Sequence, residues 1–132
     1  MLNHITTLFR SRQTEPDDAA HAAIAMLLTE TDDVLKVLLV KRATREADPW
    51  SGHIAFPGGR RGHGDLDLKA TACRETWEET GIDLTRCTAI GPLDALNSTV
   101  KPEMCIQPFI FSCTEPPEVT LNEELIAHYW IP

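Results

Sequence analysis

With 132 residues and a mass of 14.7 kDa, the chain has room for one compact domain. Hydrophobic residues at 42% and charged residues at 24% are ordinary globular usage, which excludes a disordered or fibrous chain. The net charge of -8 has the wrong sign for coating a nucleic-acid backbone, so no nucleic acid is expected as a partner.

Residues Met1 to Asp18 are polar apart from Ile5, Leu8 and Phe9, which predict one or two helical turns within an N-terminal arm, 1–19. That start is too short and too polar for a secretory signal, and no apolar run approaches the ~20 residues of a membrane span. A cytoplasmic protein with no membrane partner is expected. The four cysteines, Cys73, Cys87, Cys105 and Cys113, contain no C-x-x-C pair and read as free thiols.

The main domain spans 20–132. Two apolar, partly β-branched segments, Ala20 to Leu28 and Val34 to Arg42, flank a polar turn at 29–33 and predict a β-hairpin. Ala43 to Gly52 is a loop anchored by Trp50, and a short strand from His53 to Phe56 stops at Pro57-Gly58-Gly59. Arg60 to Gly64 is a glycine-rich, basic stretch, after which Asp65 or Asp67 caps a helix reaching Thr80, with Gly81 at a left-handed C-terminal cap. Further strands are predicted at Thr88 to Leu96, Met104 to Cys113 and Ala127 to Ile131, with a helical turn at Glu123 to Leu125. Strands mixed around one central helix indicate an α+β sandwich with a mixed sheet.

Placed at about 100° per residue, Glu75, Glu78 and Glu79 share one arc of this helix. Leu66, Ala70, Cys73 and Trp77 fall on the opposite side, which predicts a core face there. Carboxylates three or four residues apart repel, and such a face is ordinarily just solvated. Here it follows a Pro-Gly-Gly turn whose backbone can approach a ligand, with Arg60 and Arg61 beside it as anion contacts. Hard oxygen donors on a rigid helix suit Mg²⁺, which binds a few carboxylates and keeps its remaining positions for water or phosphate oxygens. Such an ion would offset the opposition between an acidic protein and a phosphate compound.

Pro57-Gly58-Gly59 followed by Arg74-Glu-Thr-Trp-Glu-Glu-Thr-Gly-Ile82 resembles the signature of the Nudix hydrolases, G-x5-E-x7-R-E-U-x-E-E-x-G-U with U a bulky aliphatic residue. Arg74, Glu75, Glu78, Glu79, Gly81 and Ile82 stand in register, and Thr76 occupies a U position. In the first half, fourteen residues rather than thirteen separate Gly59 from Arg74, and Asp65 or Asp67 stands in for the missing Glu, or the position is vacant. The longer loop and the stretch Ser51 to Gly59 are similar to the subset related to coenzyme A pyrophosphatases, whereas a Leu-Arg-x-His portion is not evident in Thr44 to Trp50.

The resemblance implies a Nudix α/β/α sandwich and a metal-dependent pyrophosphohydrolase acting on a nucleoside-diphosphate-linked or coenzyme A-like small molecule. Glu75, Glu78 and Glu79 would be ligands to Mg²⁺ or Mn²⁺, with the Gly58 carbonyl completing the set and Arg74 orienting Glu75. Glu123 or Glu124 is expected as general base. Gly59, Arg42, Arg60 and His53 are candidate substrate contacts, although Arg42 at a strand end is more often solvated and His53 at the start of a short strand more often packs or bonds locally. Members of the family continue into a further helix where this chain stops, at Pro132, so a sheet face is left for the N-terminal arm or a partner subunit, and a homodimer is expected. The alternative function is a catalytically inactive nucleotide-sensing or interaction module on the same fold.

Overall fold

A computed structural model describes residues 1–10 and 14–132; the side chain of Phe9 and residues 11–13 of the predicted arm lie outside that description. The predicted hairpin forms from β1 (Ala22–Thr31) and β2 (Val34–Arg42). It closes more tightly than the sequence predicts, because Asp32 and Asp33 both take positive φ, 53° and 62°, and make a two-residue turn that lets β1 run on through Thr31. β3 (Ile54–Ala55) and β4 (Gly58–Arg60) follow, then the helix α2 (Leu68–Thr80), a 3-10 turn at Leu84–Arg86, and the strands β5 (Thr88–Pro92), β6 (Leu96–Asn97), β7 (Cys105–Cys113) and β8 (Leu125–Ile131). The single strand expected at 88–96 is thus two short ones, and the helical turn expected at Glu123 to Leu125 is instead a turn leading directly into β8.

All eight strands join one mixed sheet. β1 pairs in parallel with β7 and antiparallel with β2 and β4, while β8 lies along β2. Alternation along the central strands sends residues to two cores. Ala23, Ala25 and Leu27 of β1 join Phe109 and Phe111 of β7 with Leu68 and Ala72 of α2 on one face. On the other, Leu28, Ile90 and Ile110 pack with Leu2 and Ile5 of the N-terminal helix α1 (Leu2–Arg10). The arm therefore covers the sheet face that the sequence left open, giving the α/β/α layering. Among the described residues no helix is long and apolar enough to cross a membrane.

Helix α2 keeps its predicted ends. Asp67 caps it by accepting from the Ala70 amide at 2.8 Å, and Gly81 closes it at φ 72° with its amide on the Trp77 carbonyl at 2.9 Å. Its inward face is rotated from the prediction: Cys73 packs against the core as expected, but Leu66 precedes the helix and Trp77 points out. Trp77 is 58% exposed and Leu66 88%, whereas Leu68, Thr71, Ala72, Thr76, Glu79 and Thr80 are buried. The sheet receives Leu68 and Ala72, and the arc that carries them also carries Glu79, so the acidic edge of the helix dips into the interior and Trp77 faces out.

Candidate active site

Two glycines set the close packing here, Gly58 against the neighbouring strand β1 and Gly59 against α2. Gly58 and Gly59 of β4 pair with Ile24 and Ala23, directly under the helix. A Cβ on Gly58 would lie 2.2 Å from the Ala23 carbonyl oxygen, and one on Gly59 would lie 2.5 Å from the Glu75 carboxyl carbon. Only glycine permits this approach.

Against that strand sits Glu79, 2% exposed. The Gly58 amide donates to its carboxylate, yet Oε1 is buried with no hydrogen-bond partner. Burial, reinforced by the negative charges of Glu75 and Glu124, pushes its pKa up to about 8, against the smaller opposing effects of Arg42 and the Gly58 amide. Glu75 is also raised, mainly by burial, with Arg74 pulling the other way.

Arg74 organises the acids around it. Its Nη1 donates to Glu75 Oε1 at 2.9 Å and to Glu78 at 3.2 and 3.3 Å, and Nη2 reaches the Arg60 carbonyl at 3.2 Å. Nε and Nη2 bind the two oxygens of Asp65 at 2.8 and 3.0 Å. Of the two aspartates open in the sequence, Asp65 partners Arg74 while Asp67 is the helix cap. Asp65 Oδ2 also accepts from the Gly62 amide and the Thr71 hydroxyl, and Arg74 holds its carboxyl well below the usual range.

Of these acids Glu75 borders a cleft of about 620 Å³, lined also by Gly58, Gly59, Arg60, Arg42 and Glu124, with Glu79 buried behind its wall. Glu124 lines it and acts electrostatically on both Glu75 and Glu79; Glu123 does not line it, and its carbonyl accepts from Arg45 at 3.1 Å. Arg42 is fixed by Asp48, with Nη2 to Oδ2 at 2.8 Å. His53 is exposed and absent from the lining; its backbone pairs with Arg42 and Trp50. Glu78 stands on the exposed flank, its side chain 50% accessible.

Sequence reasoning did not single out Arg45 or Asp48, which line the cleft with Trp50. They lie in a loop without periodicity, and only the charge pattern Arg45-x-x-Asp48 before Trp50 marked them.

The residues suit a hard divalent cation. Glu79 offers a buried oxygen with no partner, and the glycines of β4 keep carboxylate and backbone in close contact. Among the described residues no three His, Cys, Asp or Glu side chains are already gathered as a metal cage, Glu75 and Glu78 being turned to Arg74.

The NUDIX domain model matches residues 19–132. The chain belongs to the NUDIX family. An uncharacterized Schizosaccharomyces pombe protein is 40% identical over 103 residues, 73% of this chain and 31% of its own length. Nudix hydrolase 15, mitochondrial, of Arabidopsis thaliana is 41% identical over 63 residues, covering 47% of this chain and 22% of the relative. A mitochondrial coenzyme A diphosphatase of Mus musculus is 33% identical over 86 residues, 65% of this chain and 38% of the relative. This Nudix domain thus spans well under half of each of these three. The solved Caenorhabditis elegans Ap4A hydrolase binary complex shares the fold, with a TM-score of 0.69 at 21% identity over 83% of this chain and 78% of that one.

Proposed function

We propose that this Nudix domain is a metal-dependent pyrophosphohydrolase that cleaves a nucleoside-diphosphate-linked or coenzyme A-like diphosphate by attack of water on phosphorus. The observation that carries the reading is the partnerless, buried Oε1 of Glu79, which feels the charge of Glu75 and Glu124, both of which line a cleft of about 620 Å³. Glu75 and Glu79, with Glu78 at the rim and the Gly58 carbonyl, would hold Mg²⁺ or Mn²⁺. When bound, such an ion neutralises diphosphate charge and lowers the pKa of water.

Each remaining task falls to a named residue of the chain. Arg74 orients Glu75, and Asp65 fixes Arg74. Arg42, Arg45 and Arg60 bring positive charge to a cleft that would otherwise repel a diphosphate. Glu124, exposed at the cleft wall, takes a proton from the attacking water in preference to Glu123. The likeness to a coenzyme A diphosphatase supports testing that substrate first. Cytoplasmic residence and a homodimer complete the proposal; exposed Ile126, Tyr129 and Ile131 on β8 support the second, and light scattering at micromolar concentration tests it.

The test is incubation with Mg²⁺ or Mn²⁺ and a panel of coenzyme A, sugar nucleotides and dinucleoside polyphosphates. Release of two phosphate-bearing products is expected, with Glu124→Gln slower by roughly 10²–10⁴-fold and Glu123→Gln close to wild type. Tight binding without turnover would identify a sensing module instead.

A further inference from the structure

A second hollow, of about 740 Å³, lies where the end of α2 meets the sheet, lined by Trp77, Gly81 and Ile82 together with Cys87 and Cys113. Both cysteines are free and half-buried. β5 and β7 run antiparallel with Thr88 opposite Ser112, so continuing that register by one step would set Cys87, just before β5, opposite Cys113 at the end of β7. Cys87 already has extended backbone, φ -98° and ψ 167°. Directly opposed residues of antiparallel strands hold their Cβ atoms about 4.5–5.5 Å apart, close to the separation a disulfide spans.

We propose that Cys87 and Cys113 form a hydrogen-peroxide-sensitive dithiol that closes to an intramolecular disulfide. In the first step the Cys87 sulfur attacks one peroxide oxygen, the O–O bond breaks, and water leaves a sulfenic acid on Cys87. The Cys113 sulfur then attacks the Cys87 sulfur, the S–S bond forms, the S–O bond breaks, and a second water departs. Two thiols lose two electrons to the peroxide, and both thiol protons end in the two waters.

The order of attack follows from the surroundings of the two sulfurs: the nearby Cys113 holds the Cys87 thiol below its usual range and is itself pushed up, and the Cys87 Sγ lies 3.9 Å from the Asp83 carbonyl oxygen. The other two thiols are poorer targets: burial raises Cys73, and burial with the nearby Asp17 carboxylate raises Cys105. The disulfide would tie the chain following α2 to the end of β7, beside the exposed indole of Trp77.

The test treats the reduced full-length chain with hydrogen peroxide, alkylates it, and maps peptides by mass spectrometry without reduction. A Cys87–Cys113 link lighter by two hydrogens is expected, with Cys73 and Cys105 alkylated. The melting midpoint rises by roughly 10 °C and returns on adding dithiothreitol. Cys113→Ser should show neither link nor shift and should yield a dimedone adduct on Cys87. A Cys73–Cys87 link, an intermolecular link alone, sulfinic acid on Cys87 without a link, or earlier reaction of Cys105 would each overturn the proposal.

Discussion

Arg74 grips Asp65 through both carboxylate oxygens, Nε to Oδ1 at 2.8 Å and Nη2 to Oδ2 at 3.0 Å, while its remaining nitrogen serves Glu75. Asp65 is buried and also satisfies Gly62 and Thr71, so one side chain ties the glycine-rich loop to the helix. Asp65→Asn should cost about 2 kcal/mol, because it leaves a partly buried guanidinium underpaired. Denaturant titration measures this. The wild-type carboxyl is depressed in the folded state, so its contribution is complete above the unfolded value near 4 and declines as pH falls below it. Asp65→Asn should lack that acid-side decline.

Glu79 titrates in the opposite direction. Its folded pKa of about 8 stands above the unfolded value, so the neutral form favours folding and that contribution fades as pH rises toward and through 8. Metal requires the carboxylate, so uptake of Mn²⁺ or Mg²⁺ should release a proton below pH 8. Affinity should rise about tenfold per pH unit between 6 and 8 and then level off. Calorimetry in buffers of differing ionisation enthalpy reads the proton directly, and Glu79→Gln should abolish the slope.

Trp77, expected in the core, is 58% exposed, while Leu68 is buried at 1%. Trp77→Ala should change stability by less than about 1 kcal/mol, whereas Leu68→Ala should cost about 2–4 kcal/mol in the same thermal or urea melts.

How far the sequence carries follows from these residues. A cap at Asp65 or Asp67, and the close at Gly81, were legible because they depend on local hydrogen bonding and on a left-handed φ that glycine readily adopts; the choice of Asp67 was not, since it depends on Arg74 taking Asp65. The hairpin was legible from its two apolar runs. Which face of α2 points inward was not, since the arc holding Leu68 and Ala72 contains Thr71, Thr76, Thr80 and Glu79, all polar by composition and all buried by the sheet. The Nudix signature places Glu75 and Glu79 in the chain, but the burial of one and the tethering of the other depend on β4 passing beneath the helix. Arg45 and Asp48 reach the cleft through a loop fold that no periodicity encodes.

Thr76 occupies a signature position suited to a bulky aliphatic residue, and its buried hydroxyl has no partner. Thr76→Val keeps the shape and removes that oxygen, so it should stabilise the domain by about 1 kcal/mol and raise the melting midpoint by roughly 3–5 °C. Turnover should be unchanged, because the Thr76 hydroxyl bonds to none of the acidic side chains.

The central claim is tested most directly by hydrolysis of a diphosphate substrate in ¹⁸O-labelled water with Mg²⁺, comparing wild type with Glu79→Gln. The account predicts one ¹⁸O in a single phosphate product and a loss of at least about a hundredfold in the variant. No labelled product from any diphosphate, or equal rates in the two proteins, would contradict it.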